Sequence, residues 1–262
     1  MAGMSEEISI KDQEAIALLR RGGKLHAQVL DELEKEVVAG NSTLDVDDRA
    51  MELLEALGLE PMTLGYQPRF APRPYPAATC VSINDEVVHG IPNEDPVAFE
   101  DGDVVSIDLV TAYQGVVLDA ARTVGVGELA PIDQQLIDVT KAATKAGIAA
   151  AQAGNRVSDI GRAVEAAVPE GFAIIRDFCG HGVGYELHEA PQIPNFYIKG
   201  ESPVLEPGMV LAIEPMIIVG DDPGVVVDRD GYTALTTSGH NAAHIEHTVL
   251  VTEKGPEVLT VR

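Results

Sequence analysis

Four carboxylates stand inside runs of the chain that otherwise read as buried β-strand. Asp108 interrupts Val104-Val105-Ser106-Ile107-Asp108-Leu109-Val110, and Asp119 follows Val116-Val117-Leu118. Glu214 follows Val210-Leu211-Ala212-Ile213, and Glu246 lies within Ala243-His244-Ile245-Glu246-His247-Thr248-Val249-Leu250-Val251. An ionised carboxylate in an apolar interior is costly unless something answers its charge. One such acid is most simply paired with an arginine, but four of them in separate strands call for a shared partner. Together with an imidazole they form a hard, oxygen-rich cage with too many charges for one ion, which suits two bridged divalent cations. A turn centred between Tyr113 and Gln114 sets Asp108 directly opposite Asp119, Cβ atoms ~5 Å apart. Like charges that close require a proton or a cation between them.

The imidazole comes from Cys179-Gly180-His181-Gly182-Val183-Gly184-Tyr185-Glu186-Leu187-His188-Glu189-Ala190-Pro191, where two histidines stand among glycines and acids. It reads as a loop-like site in which missing side chains let a ligand approach the backbone. Other chemistries fit poorly. A phosphate loop must open a helix, which Leu187-His188-Glu189-Ala190-Pro191 does not resemble. His188-Glu189-Ala190-Pro191-Gln192 lacks the second histidine of a zinc-protease helix, there is no C-x-x-C, and no G-x-S-x-G elbow supports a serine hydrolase.

Charge narrows the function further. With 42 acidic residues against 18 basic ones the formal charge is -24, which repels the phosphate backbone and argues against nucleic-acid binding. The acids are spread along the chain as a solvated surface, a balance that a salt-rich habitat also favours. Two cysteines, Cys80 and Cys179, are too few for a disulfide framework and suit a reducing compartment. The acidic N-terminus lacks the basic and apolar regions of a signal peptide, and no apolar run reaches a membrane span of ~20 residues. The expectation is a soluble cytoplasmic protein.

Periodicity gives the layout. A long helix is expected from about Asp12 to Val38 with a soft middle at Gly22-Gly23, and a second after an N-cap at Thr43, ending by Gly58. Strands follow at Thr79 to Ile83, Val104 to Tyr113 and Val116 to Val124. The pattern then repeats. Helices span Ile132 to Gln152 and, capped by Ser158, Asp159 to Val168, before strands at Ala173 to Phe178, Met209 to Val219, Val225 to Asp228 and Ala243 to Val251. Two helix-helix-strand blocks predict an α+β chain of two similar halves whose sheets join, with helices packed on one face.

The residues also match a known family. Tyr75-Pro76 through Cys80-Val81-Ser82-Ile83-Asn84, His89-Gly90-Ile91-Pro92 and Gly102-Asp103 with Ile107-Asp108 resemble the bacterial type I methionine aminopeptidases. So do Gly180-His181-Gly182 with His188-Glu189, Pro207-Gly208-Met209 with Ile213-Glu214-Pro215-Met216, and Glu246-His247-Thr248 with Val251-Thr252. The resemblance covers about Ile10 to Thr260. It implies a pita-bread fold, with a pseudo-twofold pair of halves, one joined curved antiparallel sheet and helices on the outer face. The expected organisation is a flexible segment over residues 1–9 and one catalytic domain over 10–262.

It also implies removal of the N-terminal methionine from nascent proteins when the second residue is small and uncharged. Asp108, Asp119, His181, Glu214 and Glu246 would bind two divalent ions (Co, Mn, Fe or Zn), Asp119 and Glu246 bridging them. Glu214 would help move protons, His188 would hydrogen-bond the substrate carbonyl or the intermediate, and His89 would contact the scissile amide or the following residue. Tyr75, Cys80 and Leu187 would contact substrate. The implied protein is a monomer acting on N-termini near the ribosome.

The chain departs from the family pattern in places. Leu187 and Pro72 replace aromatic residues, His244 replaces a glutamine near the last ligand as a neighbour of the metal ligands, and no tryptophan is present. A wider methionine pocket is expected. The alternatives are a proline-directed peptidase of the prolidase or aminopeptidase P kind, and a non-catalytic binding protein on the same fold.

Overall fold

The computed structural model describes residues 7–68 and 71–262. Of the segment expected to be flexible, residues 1–6 lie outside the described residues, whereas Ile8 forms a bridge with Ala190 and Ser9 bonds Glu189.

Each half begins with a pair of helices. α1 (Gln13–Leu33) starts at Asp12, whose carboxylate accepts from the Ala15 N–H at 2.8 Å. Its middle is not soft. A Cβ on Gly22 would lie 2.6 Å from Leu118 Cδ1 and one on Gly23 2.2 Å from the Leu259 carbonyl oxygen, so the two glycines let the helix settle onto the strands beneath. α2 (Thr43–Leu57) is capped by Ser42, one residue before the expected Thr43, because Ser42 and Asp45 bond one another reciprocally. It ends at Gly58 in the left-handed region. In the second half, α3 (Pro131–Ala150) precedes α4 (Val157–Ala167). The N-cap of α4 is Arg156 rather than Ser158, since the Asp159 carboxylate accepts the Arg156 N–H at 2.8 Å.

The first-half strands are β1 (Glu60–Pro61), β2 (Thr79–Ile83), β3 (Glu86–Val88), β4 (Val104–Tyr113) and β5 (Val116–Gly125). Those of the second are β6 (Phe172–Ile174), β7 (Gly180–Gly182), β8 (Glu189–Ile193), β9 (Val210–Ile213), β10 (Met216–Val219), β11 (Val225–Val227), β12 (Ala234–Thr236), β13 (Ala242–His244), β14 (His247–Thr252) and β15 (Gly255–Val258). β4 carries β5 on one edge and β2 and β1 on the other. A five-stranded sheet runs β15-β14-β9-β7-β8, and two three-stranded sheets run β13-β10-β6 and β11-β12-β3. The fold is α+β, as expected.

Two apolar clusters pack the helices onto these sheets. Leu30, Val46 and Leu54 join Ile107 and Leu109 in one, and Leu136, Ile160 and Val164 join Leu211, Ile213 and Val249 in the other. The halves are joined by a ladder between β3 and β12, but where β5 meets β13 and β14 hydroxyls take the place of a ladder. Thr248 Oγ1 donates to the Asp119 carbonyl at 2.7 Å and accepts the Asp119 N–H at 2.9 Å. Thr123 Oγ1 treats His244 the same way, at 2.7 and 3.0 Å, and the Glu246 N–H reaches the Ala121 carbonyl at 2.9 Å. Among the described residues no helix is long and apolar enough to cross a membrane.

Three local expectations change. The run Met209 to Val219 is two strands, β9 and β10, broken at Glu214-Pro215; Pro215 has no N–H to give a ladder. The run Ala243 to Val251 breaks at Ile245-Glu246, where the backbone turns to pair with Ala121 instead. The glycine-rich stretch is not a ligand-facing loop throughout. Gly180 and Gly182 lie in β7, where a Cβ would strike the Ala212 and Ala190 carbonyl oxygens at 2.3 and 2.2 Å.

Candidate metal centre

The β4–β5 hairpin presents the first two carboxylates. Its turn is Gln114-Gly115, both at positive φ (50° and 87°), the two-residue geometry that suits the twist of a hairpin. The register therefore differs by two residues from the expected one. Asp108 lies opposite Ala121, and Asp119 opposite Val110. A slip of two keeps both side chains on one face, so they are diagonal neighbours rather than a facing pair. Cys80, on β2, is the residue beside Asp108 across the other edge.

The second half brings the rest. His181 Nδ1 lies 2.8 Å from the Gly182 carbonyl and donates to it, which leaves Nε2 as a lone pair facing the acids. That nitrogen is 3.3 Å from Glu214 Oε1 and 3.6 Å from Asp119 Oδ2. Ligand atoms of Asp119, His181 and Glu246 lie within 4.8 Å of one another, an arrangement able to hold a metal ion. His244 Nε2 stands 3.9 Å from Glu214 Oε2 and 3.8 Å from Glu246 Oε2. The structure thus brings Asp119, His181, Glu214 and Glu246 together, with His244 beside two of them and Asp108 diagonal to Asp119 on the hairpin, near enough to repel the other acids.

Whether a cation belongs here is decided by what the acids lack. Asp108 Oδ1, Asp119 Oδ1, Glu246 Oε1 and His244 Nε2 are buried without a hydrogen-bond partner, whereas buried polar atoms are ordinarily paired. Among the described residues no lysine or arginine forms an ion pair with any of the four acids. Burial pushes Asp108 up to about 7 and, with mutual repulsion, holds Asp119, Glu214 and Glu246 well above the usual carboxylate range. Burial also drives His181 and His244 down to about 3, so both rings are neutral. Neutral imidazole beside unanswered carboxylate oxygens is a donor set that fits divalent cations.

The other expected residues flank this centre. His188 packs its ring on that of His181, centroids 4.4 Å apart, and its Nδ1 lies 3.1 Å from the Tyr66 hydroxyl. His89 has φ 64°, an uncommon conformation for a non-glycine residue, and its ring meets Phe178 edge-on at 5.6 Å. Burial lowers both to about 4. Tyr75 and Cys80 belong to a small apolar cluster with Ala71, Ala77 and Tyr232. The Tyr75 hydroxyl donates to the Gly90 carbonyl at 2.8 Å, next to His89. Leu187 is in a different cluster, with Leu19, Leu118 and Val183 and with Tyr66 at its margin.

Sequence reading missed Tyr66, Tyr232 and the two seam threonines. Tyr232 meets Tyr75 edge-on at 5.0 Å and supplies an aromatic wall in a segment that has no tryptophan. Pro72 packs near Gly231, the residue before it. Thr248 lay in a motif, but nothing in its residue type signals the bond to Asp119.

Known proteins resemble this chain in sequence and fold. The sequence model of metallopeptidase family M24 matches residues 17–253. A methionine aminopeptidase from Aquifex aeolicus is 43% identical over 256 residues, 97% of this chain and 98% of that protein. The crystal structure of a methionine aminopeptidase from Thermotoga maritima superposes with a TM-score of 0.90 at 42% identity, covering 98% of this chain and all of that one. A prolidase from Pyrococcus furiosus shares the fold at 22% identity, TM-score 0.71, and this chain spans 65% of its length. The pita-bread fold is thus shown, and the chain belongs to metallopeptidase family M24, among its methionine aminopeptidases.

Proposed function

We propose that this chain excises the N-terminal methionine of nascent proteins and peptides whose second residue is small and uncharged, with two divalent cations in the cage. The observation that carries the reading is the set of unanswered buried atoms on acids drawn from both halves. Asp108, Asp119, His181, Glu214 and Glu246 would hold the pair. Such cations supply Lewis acidity and a water acidified enough to attack the peptide carbonyl. An oxygen-rich cage with one imidazole accepts cobalt, manganese, iron or zinc.

The protein's own groups do the rest. Glu214 takes the proton of the attacking water and passes it to the leaving amine. With the Tyr66 hydroxyl donating to His188 Nδ1, the His188 proton sits on Nε2, where it donates to the substrate carbonyl oxygen. His89, neutral and held in place by its backbone conformation and by Phe178, contacts the scissile amide. Tyr75, Cys80 and Tyr232 receive the thioether side chain, and Leu187, in the separate cluster that Tyr66 packs against, contacts substrate. His244 stands beside Glu214 and Glu246 at 3.9 and 3.8 Å as a neutral neighbour of the ligands.

Because the site draws on both halves, residues 10–262 act as one catalytic domain. A monomer in the cytoplasm, working on chains as they leave the ribosome, fits this role. Assay of Met-Ala-Ser against Met-Lys-Ser and X-Pro peptides, with and without added metal, tests it. Metal-dependent release of methionine from Met-Ala-Ser is expected. Preference for X-Pro peptides, or no turnover with any metal, overturns the reading.

A further inference from the structure

Outside the carboxylate cage lies a second buried charged group that the chemistry above does not use. Lys11 and Glu189 are each 3% exposed, and Lys11 Nζ is 2.5 Å from Glu189 Oε2. The Ser9 hydroxyl joins them, accepting from Lys11 and donating to Glu189. The other carboxylate oxygen, Oε1, accepts the backbone N–H groups of Tyr185 at 2.6 Å and Glu186 at 3.0 Å. One carboxylate thus closes the turn over 185–189 on itself and ties it to the N-terminal segment.

That segment is anchored in its turn. The Lys11 N–H donates to the Gly208 carbonyl at 2.8 Å. The lysine stem lies so close to Gly184 that a Cβ there would be 2.4 Å from Lys11 Cε, and the ammonium faces the Tyr185 ring at 5.0 Å.

A buried ion pair is a poor means of adding stability, because desolvating two charges offsets their attraction; its better-attested use is to select one arrangement among several. The residue placed by this one is His188, immediately before Glu189 and at the end of the closed turn. We propose that the Lys11–Glu189 pair, with Ser9, is a positioning device that holds His188 against His181 and the substrate carbonyl. The inference rests on the role given to His188 above.

A double-mutant cycle on the metal-loaded enzyme tests it. Lys11→Met should lower kcat roughly tenfold to a hundredfold, the cost of an ångström-scale misplacement, while KM stays within about twofold and metal content is unchanged. The same substitution in a His188→Ala background should cost nothing further. If Lys11→Met does not fold, Lys11→Met/Glu189→Gln enters the same cycle, since it removes both charges and keeps the acceptor for Tyr185 and Glu186. Losses that multiply across the cycle, or a parental kcat in a folded Lys11 variant, overturn the inference alone. A parent that releases no methionine, or a His188→Ala protein with parental kcat, overturns the underlying reading as well.

Discussion

The two halves deliver the same chemistry by different local means. In the first, Asp108 and Asp119 sit within uninterrupted ten-residue strands of a single hairpin, and the pleat aims both at one face. In the second, Glu214 and Glu246 sit where a strand stops and the chain crosses between the five-stranded sheet and a three-stranded one, out of the larger sheet at Glu214 and back into it at Glu246. A regular ladder can place a carboxylate only at the spacing of its pleat, whereas a break lets the backbone choose the angle. The site needs both. The hairpin is the rigid floor, and the two breaks bring glutamates over it from the far side.

If the halves are equal partners in binding, Asp119→Asn and Glu246→Gln should fail alike. Loss of outer partners at metal sites costs ~10 to 100-fold, so removing either ligand should lower kcat/KM by more than ~100-fold, with the metal pair lost by elemental analysis. One variant with parental stoichiometry and turnover would remove that residue from the site and leave the halves unequal.

Removing the metal sharpens the comparison through pH. In the metal-free protein burial raises all four carboxylates, so the folded state binds more protons than the unfolded one and stability falls as pH rises. The buried histidines act with the opposite sign, since their lowered values make the folded state bind fewer protons and lose stability as pH falls below ~6.5. These effects oppose one another up to ~6.5; above it only the acids still titrate. Between pH 7 and 9 the metal-free protein should lose several degrees of melting temperature, at roughly 2–4 °C per kcal/mol for a chain of this size, and the loaded protein should not. Parallel melting curves would remove the acids as the cause. In acid, metal should leave before the circular dichroism changes.

The seam offers a smaller and more local test. Thr248→Val and Thr123→Val each leave a buried N–H and carbonyl without partners, a loss of about 1–3 kcal/mol. Only the former touches a proposed ligand, because its partner is the Asp119 backbone and the partner of Thr123 is His244. Equal destabilisation is expected, with weakened metal affinity in Thr248→Val alone. Equal affinity loss in both would mean that the seam acts as a whole. Smallest of all, Leu187→Phe should alter the preference for methionine over leucine by less than about tenfold, measured as a ratio of kcat/KM. Leu187 packs with the α1 cluster rather than beside Tyr75 and Cys80.

The first half was also the more legible in sequence. Continuous apolar runs with a single acid announce strands and their anomaly together, and β4 has the expected bounds. The register missed by two because Gln114 adopts a positive φ that its residue type does not advertise. In the second half the acids could be read, and Pro215 marks one of the two breaks, but the other carries no such mark. No proline or glycine stands between Ala243 and Val251 to stop the strand, and the reason to stop at Glu246 is the Ala121 carbonyl in the other half. Tyr66 and Lys11 had no local signal, since their partners His188 and Glu189 lie 122 and 178 positions away. Pairings of that kind exist only after tertiary folding.

The threonine seam also sets a timetable for biosynthesis. Asp119 and Thr248 are 129 positions apart, and a chain emerging from the ribosome folds its earlier part first. The hairpin can form and pack under α1 and α2 while the Asp119 peptide group still lacks its hydroxyl partner and the floor still lacks both glutamates. Catalytic competence therefore waits for the last strand, and a truncated product that stops before Glu246 would hold three of the four carboxylates but lack both Glu246 and the Thr248 hydroxyl that fixes the Asp119 backbone. Peptidase activity is thereby withheld from unfinished copies of the enzyme.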